Sequence, residues 1–319
     1  VAPEGPGRPP TAGPSRPLRW DRDGPHWPGS AASRFVRAGG LRWHLQCHGQ
    51  GPVLLLLHGT GASGHSWRDV VPGLASRHTV LVPDLPGHGF SEALPTGRAT
   101  LPGMAAALQA LVDTIGLAPA GIAGHSAGAA IAAQMALAPA GTVRRLAWIN
   151  PALQPFDGWA GLAFGPLARW MARRPALASL AAWRGRDPQA VRSLVESTGS
   201  TLDEAGLALY GRLIATPSHV AGALAMMAGW DLAPLRRALP ALRAPVLLLV
   251  GDTDRTVPPG PALRLAATLP TVQVQHWPGL GHLAHEEAPQ DCARRLLDWF
   301  GPAAAPQAPG ASAARSPGA

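Results

Sequence analysis

Apolar positions in this chain form two kinds of run. Val53-Leu54-Leu55-Leu56-Leu57 and Val246-Leu247-Leu248-Leu249-Val250 are short and continuous, the pattern of parallel strands buried on both faces. Thr79–Pro83, Arg145–Ile149 and Val272–His276 read as further strands, and a short strand leads into Gly124. Between them lie stretches of helical periodicity: His65 to Ser76, Leu101 to Gly116, the small-residue run after Ser126 to about Leu137, Pro261 to Thr268, and Pro289 to Phe300. Alternation of this kind implies an α/β chain with a doubly wound, mostly parallel sheet. Ahead of it, residues 34–37 and 41–46 flank Gly39-Gly40 and predict an N-terminal antiparallel hairpin of edge strands.

From Asn150 to Pro240 helical patterns follow one another without strands, and Trp159, Phe164, Trp170, Trp183 and Trp230 are scattered among them. This stretch reads as a helical cap inserted into the core, and Thr201 to Glu204 reads as a capping box for one of its helices. The expected organisation is a core of residues 31–150 and 241–300 with the cap at 151–240. Residues 1–30 are rich in Pro, Gly and Arg, and 301–319 in Ala, Pro, Gly and Ser, so both ends are expected to be disordered.

The formal charge is +8, yet all 27 basic residues are Arg and they form no single run. With abundant Ala, Gly and Pro this fits genomic composition, so no nucleic-acid partner is expected. Cys47 and Cys292 are far apart and lie outside metal-ligand or C-x-x-C spacing, which points to a reducing compartment, the cytoplasm. No apolar run approaches the ~18 residues of a membrane span, and the N-terminal stretch lacks the apolar core of a secretory signal.

Candidate chemistry begins at Gly124-His125-Ser126-Ala127-Gly128, a G-x-S-x-G between strand and helix. Such a turn exposes a strained serine, and the glycines let strand and helix approach. A serine hydroxyl needs a base and a carboxylate to orient that base. Downstream strands end at Gly251-Asp252-Thr253-Asp254 and at Pro278-Gly279-Leu280-Gly281-His282, with His285 three residues on.

These motifs resemble the α/β-hydrolase superfamily over about residues 34 to 300. Its G-x-x-D-x-x-V-P pattern falls on Gly251, Asp254, Val257 and Pro258, and its G-H with E-x-P on Gly281-His282 and Glu287-Ala288-Pro289. The resemblance therefore implies Ser126, Asp254 and His282 as the catalytic set, in preference to Asp252 and His285. It also implies an oxyanion hole from the N–H groups of Thr60, in His58-Gly59-Thr60, and of Ala127. A serine at position 126 disfavours the branches with a carboxylate nucleophile.

Four stretches resemble a narrower group, the magnesium-chelatase accessory proteins of bacteriochlorophyll biosynthesis. They are Leu54 to Ala62, Thr198 to Asp203, Ala225 to Leu232 and Gly281 to Glu287. That likeness implies a role near magnesium insertion into protoporphyrin, an ester or tetrapyrrole substrate, and association with magnesium chelatase. The alternatives are a porphyrin-binding accessory protein without turnover and a carbon–carbon bond hydrolase. No cofactor or metal is expected, because His44, His65, His78 and His219 have no ligand spacing. His58, His88, His125 and His285 read as structural or rim residues, and Met226, Met227 and Trp230 as cap packing.

Overall fold

The computed structural model describes residues 17–138, 143–154 and 174–301. Eight strands form one sheet in the order β1-β2-β4-β3-β5-β6-β7-β8. They are β1 (Ser33–Ala38), β2 (Leu41–His48), β3 (Val53–Leu57), β4 (Thr79–Pro83), β5 (Gly121–His125), β6 (Arg145–Ile149), β7 (Val246–Gly251) and β8 (Val272–Trp277). All pairs from β4 to β8 are parallel, while β1–β2 and β2–β4 are antiparallel. β1 is thus an edge, but β2 is interior, since Leu45–His48 pair with Val80–Pro83.

The continuous apolar strands feed two cores. Leu55, Leu57, Leu81, Leu248 and Val250 face one side with α3 (Leu101–Ile115) and α4 (Ala127–Ala136). Leu54, Leu56, Val80, Val82, Leu247 and Leu249 face the other with α2 (Val71–Ala75) and the last helix, Pro289–Phe300. Period-2 alternation with both faces covered explains why these strands carry no polar positions. Truncating one such leucine to alanine costs ~2–5 kcal/mol.

Local chemistry sets several boundaries. Thr100 caps α3 through Gly103 N–H at 3.2 Å, and Gly116 ends it in left-handed backbone at φ 67°. A single helix over 65–76 does not form. A 3-10 turn spans Gly64–Trp67 and α2 begins at Val71, because Pro72 lacks an N–H and fits only a first helical turn. The capping box is also displaced: Asp203 itself caps the helix Glu204–Ile214, accepting from Gly206 N–H at 2.7 Å.

Disorder through residue 30 is overturned for 17–30, while residues 1–16 and 302–319 lie outside the described residues. α1 (Trp20–Asp23) and two 3-10 turns lead into β1. Trp27 is buried, and the Trp20 ring packs against Phe35, His44 and Phe90 at centroid distances of 5.2, 5.0 and 5.1 Å. Asp23 pairs with Arg22 and Arg212, and burial opposed by these guanidinium contacts leaves its carboxyl lowered to about 2. Two indoles supply the burial that a scarcity of aliphatic residues had concealed.

In the cap, the described part is helical: α5 (Pro175–Arg184), α6 (Pro188–Ser197), α7 (Glu204–Ile214), α8 (Pro217–Ala228) and α9 (Ala233–Ala238). Trp159, Phe164 and Trp170 lie outside the described residues.

Candidate active site

β5 stops at His125 and α4 starts at Ala127, leaving Ser126 between them at φ 52°, ψ −117°. Left-handed backbone is rare for a residue with a Cβ, and such strain costs about 1–3 kcal/mol. The neighbours enforce it. A Cβ on Gly124 would lie 2.4 Å from the Gly128 carbonyl, and one on Gly128 would lie 2.4 Å from Leu57 O. Gly59 approaches from β3, where a Cβ would stand 3.1 Å from Ser126 Cβ. Ser126 N–H donates to Ile149 O at 3.0 Å, and Ser126 O accepts from Ala152 N–H at 3.1 Å.

Because β4 and β5 flank β3 on opposite sides, the chain reverses its direction of travel there. Ligand sites of open α/β sheets lie at such a switch point, beyond the C-terminal ends of the strands. Here that position holds Gly59-Thr60 after β3 and Ser126 after β5. Ala127 opens α4, so its N–H has no intrahelical acceptor, and the helix N-terminus favours negative charge. Thr60 follows Gly59, and its Oγ1 donates to Met226 Sδ of α8 at 3.5 Å.

Two loops farther along the same edge carry Asp254 and His282. His282 Nδ1 meets Asp254 Oδ2 at 2.7 Å. Asp254 Oδ1 accepts from Thr256 and Val257 N–H, both at 2.8 Å, and its side chain is fully buried. A carboxylate so placed accepts a hydrogen bond from Nδ1–H, which fixes the tautomer and leaves Nε2 as the basic nitrogen. Asp252, two residues earlier, bonds instead to exposed His276 at 2.9 Å. His285 is buried with no partner for either ring nitrogen, and burial pushes its pKa down to about 3.

The cap grips this edge. Thr198 O accepts from Arg255 and His282 N–H at 3.1 and 3.3 Å, and Ser200 Oγ accepts from Leu283 N–H at 2.8 Å. Glu287 takes Gly281 N–H on one oxygen at 2.9 Å and Thr201 N–H on the other at 3.2 Å. On α8, His219 Nδ1 accepts from Gly89 N–H at 3.1 Å and Nε2 donates to Gly61 O at 3.0 Å. Burial lowers the His219 pKa to about 4, which keeps this bridge neutral. Below it Glu286 pairs with Arg68 at 2.7 Å and accepts from Tyr210 at 2.7 Å. Burial raises the Glu286 carboxyl to about 7 although Arg68 opposes the shift.

Thus Asp254 and His282 are bonded, and Ser126 lies beside Gly59 on the same sheet edge. His58 braces two loops, Nδ1 donating to Gly59 O at 2.8 Å and Nε2 accepting from Leu85 N–H at 2.9 Å. Missed from the sequence were Asn150, whose side chain bonds Gly251, Gly281 and His282, and the buried pair of His44 with Asp84. Asn150-Pro151 directly after a strand was the available signal for the first. Among the described residues no three His, Cys, Asp or Glu side chains are grouped to hold a metal ion. Among them no helix is long and apolar enough to cross a membrane.

A family profile described as alpha/beta hydrolase fold matches residues 52–289. The chain is 45% identical over 277 residues to the magnesium-chelatase 30 kDa subunit of Rhodobacter capsulatus, covering 86% of this chain and 96% of that protein. It is 25% identical to 2-hydroxy-6-oxo-6-phenylhexa-2,4-dienoate hydrolase of Burkholderia cepacia, covering 85% and 97%. Among solved structures, the epoxide hydrolase CorEH without ligand superimposes with a TM-score of 0.70 at 25% identity, covering 84% and 98%. With the strand order, the elbow and the loops described above, these matches establish that the chain belongs to the alpha/beta hydrolase fold family.

Proposed function

We propose that this chain is a serine hydrolase that works through an acyl-enzyme, with Ser126 as nucleophile, His282 as base and Asp254 as its orienting carboxylate. The observation that carries the reading is the 2.7 Å bond from His282 Nδ1 to buried Asp254. It reserves Nε2 for proton transfer at the edge where the strained elbow presents Ser126.

In this reading Ser126 Oγ attacks the carbonyl carbon of an ester as its proton passes to His282 Nε2. The carbonyl oxygen becomes an oxyanion facing the N–H groups of Thr60 and Ala127, each worth ~3 kcal/mol to the transition state. The ester C–O bond then breaks and His282 returns the proton to the departing alcohol. Water, deprotonated by His282, attacks the acyl-enzyme and releases the acid, restoring Ser126.

The pathway assignment rests on the 45% likeness to a magnesium-chelatase subunit. We place the substrate among esters of the tetrapyrrole chemistry around magnesium insertion, with the cap at 151–240 as its selector and association with the chelatase as its setting. Two free thiols suit the cytoplasm. α8 supports the cap's role, since Met226 touches Thr60 and a Cβ on Gly222 would lie 2.1 Å from Gly87 O. The same likeness favours a second reading, a porphyrin-binding accessory protein without turnover.

Labelling by a fluorophosphonate probe separates the two readings. Labelling of the parent and its loss in Ser126→Ala, with an unchanged melting temperature, is the expected result. An unlabelled parent that still quenches its Trp fluorescence with protoporphyrin would establish the accessory reading instead.

A further inference from the structure

The turn after β6 bonds to the Ser126 elbow and to the loops that carry Asp254 and His282. Ile149 O receives Ser126 N–H at 3.0 Å, and Ala152 N–H donates to Ser126 O at 3.1 Å. Between them stands Asn150, in left-handed backbone at φ 43° and almost fully buried. Ser126 and Asn150 are the two residues other than glycine with positive φ among the described residues. Asparagine tolerates this conformation better than residues with larger side chains.

The turned backbone aims the Asn150 amide across the ends of β7 and β8. Its Oδ1 accepts from Gly251 N–H at 2.7 Å, at the start of the loop bearing Asp254. Its Nδ2 donates to Gly281 O at 2.8 Å and to His282 O at 3.0 Å. His125, next to Ser126, adds Nε2–H to the same His282 carbonyl at 2.8 Å. Both donors of the amide meet carbonyls and its oxygen accepts from one backbone amide, so three of its four possible hydrogen bonds are made.

We propose that Asn150 is a positioning residue, which registers the loops of Asp254 and His282 to each other and to the Ser126 elbow. This rests on the hydrolase reading above and deepens it. Asn150 touches neither the reacting serine hydroxyl nor the imidazole ring; it acts on the backbone from which they project. Displacement of a catalytic group by about 1 Å costs roughly 100-fold in rate. Aspartate at this position keeps the acceptor for Gly251 but faces two carbonyls with no donor. Glycine keeps the backbone turn and removes the amide.

The test compares Asn150→Gly and Asn150→Asp with the parent by three measurements on the full chain. These are the fluorophosphonate labelling rate per folded molecule, kcat and KM on an activated ester, and the downfield NMR signal of the proton between His282 Nδ1 and Asp254. Both variants are expected to label about 100-fold more slowly, with kcat falling and KM within about threefold. The downfield signal should shift or broaden, while the melting temperature of Asn150→Gly stays within a few degrees of the parent. Labelling within about threefold of the parent with an unmoved downfield proton would overturn the proposal. If the parent itself does not label, the hydrolase reading fails, and the NMR signal alone still decides whether Asn150 sets the Asp254–His282 register.

Discussion

Among the described residues two buried Asp–His pairs stand in contrasting surroundings, one at the sheet edge that carries Ser126 and one beside Ser33. In the first, Asp254 holds His282 at 2.7 Å on the edge where Ser126 emerges. In the second, Asp84 holds His44 at 2.8 Å and His44 Nε2 lies 3.0 Å from Ser33 Oγ. Both aspartates take two backbone amides, Asp254 from Thr256 and Val257, Asp84 from Gly64 and Phe90. By distance alone the Asp84–His44 pair is as well formed as the Asp254–His282 pair.

Their settings differ. The His44 ring is enclosed by Trp20, Phe35 and Phe90, with a side-chain exposure of 1% against 8% for His282. Ser33 stands at the start of an edge strand at φ −78°, relaxed, and no helix begins behind it to supply free amides. Ser126 has a strained backbone, a helix N-terminus and a close glycine loop. An Asp-His-Ser chain of hydrogen bonds is therefore a common means of satisfying buried polar groups. What sets the Ser126 surroundings apart is backbone strain and a helix N-terminus with free amides.

The sharpest way to break this comparison is to swap the two acids. Asp254→Asn is expected to lower kcat by about 10⁴-fold, since an amide stabilises the wrong imidazole tautomer, with little loss of stability. Asp84→Asn should instead cost about 2 to 3 kcal/mol of stability and leave the labelling rate per folded molecule unchanged. Burial opposes ionisation of Asp84, but His44 and its amide donors hold its carboxyl below the usual range, so the native state uses the charge. Kinetics beside urea melts of both variants would read the two effects; a turnover defect in Asp84→Asn would refute the division.

Acid titration probes the histidines that lack a carboxylate. His285 and His219 are depressed by burial to about 3 and about 4, so the native state binds fewer protons than the unfolded chain below about pH 6.5. Their cost to the native state is absent above about pH 6.5, grows as pH falls below it, and levels off at the native pKa, about 4 for His219 and about 3 for His285. The full loss is about 3 kcal/mol for His219 and about 5 kcal/mol for His285. The melting temperature should decline from pH 7 to pH 5, and His285→Leu should flatten part of that slope. An unchanged slope in that variant would mean that His285 is not the responsible group.

Smaller effects complete the contrast. Ser33→Ala removes one half-buried hydroxyl bonded to His44 and should cost ~1 kcal/mol without touching probe labelling. Asp252→Asn breaks an exposed pair with His276, whose side chains are 43% and 51% accessible. It should change stability by less than ~0.5 kcal/mol and activity by less than about twofold. If Asp252→Asn proved more damaging than Asp254→Asn in steady-state kinetics, the acid would be misassigned.

The sheet was legible in the chain because a strand buried on both faces has nowhere to place a polar residue, as Leu54–Leu57 and Val246–Val250 show. The elbow was legible because steric contact permits only glycine at 124 and 128. Helix breaks were less so: Pro72 divided the segment 65–76, and Asp203 rather than Thr201 took the capping position. The N-terminal stretch was misread because composition counts aliphatic residues, while Trp20 and Trp27 fold it by docking on Phe35, His44 and Phe90.

The sequence by itself determined the strand order along the chain, the strained serine and the residue types able to act with it. The family resemblance singled out Asp254 and His282, and the tertiary structure shows the contact itself, with Asp254 bonded to His282 and Asp252 turned to exposed His276. Only the tertiary structure decided the place of Asn150, whose hydrogen bonds reach residues 101, 131 and 132 positions away. Local patterns encode conformation and burial, since those depend on neighbours in the chain. Contacts between strand ends depend on how the sheet brings distant loops to one edge, and no local pattern carries that distance.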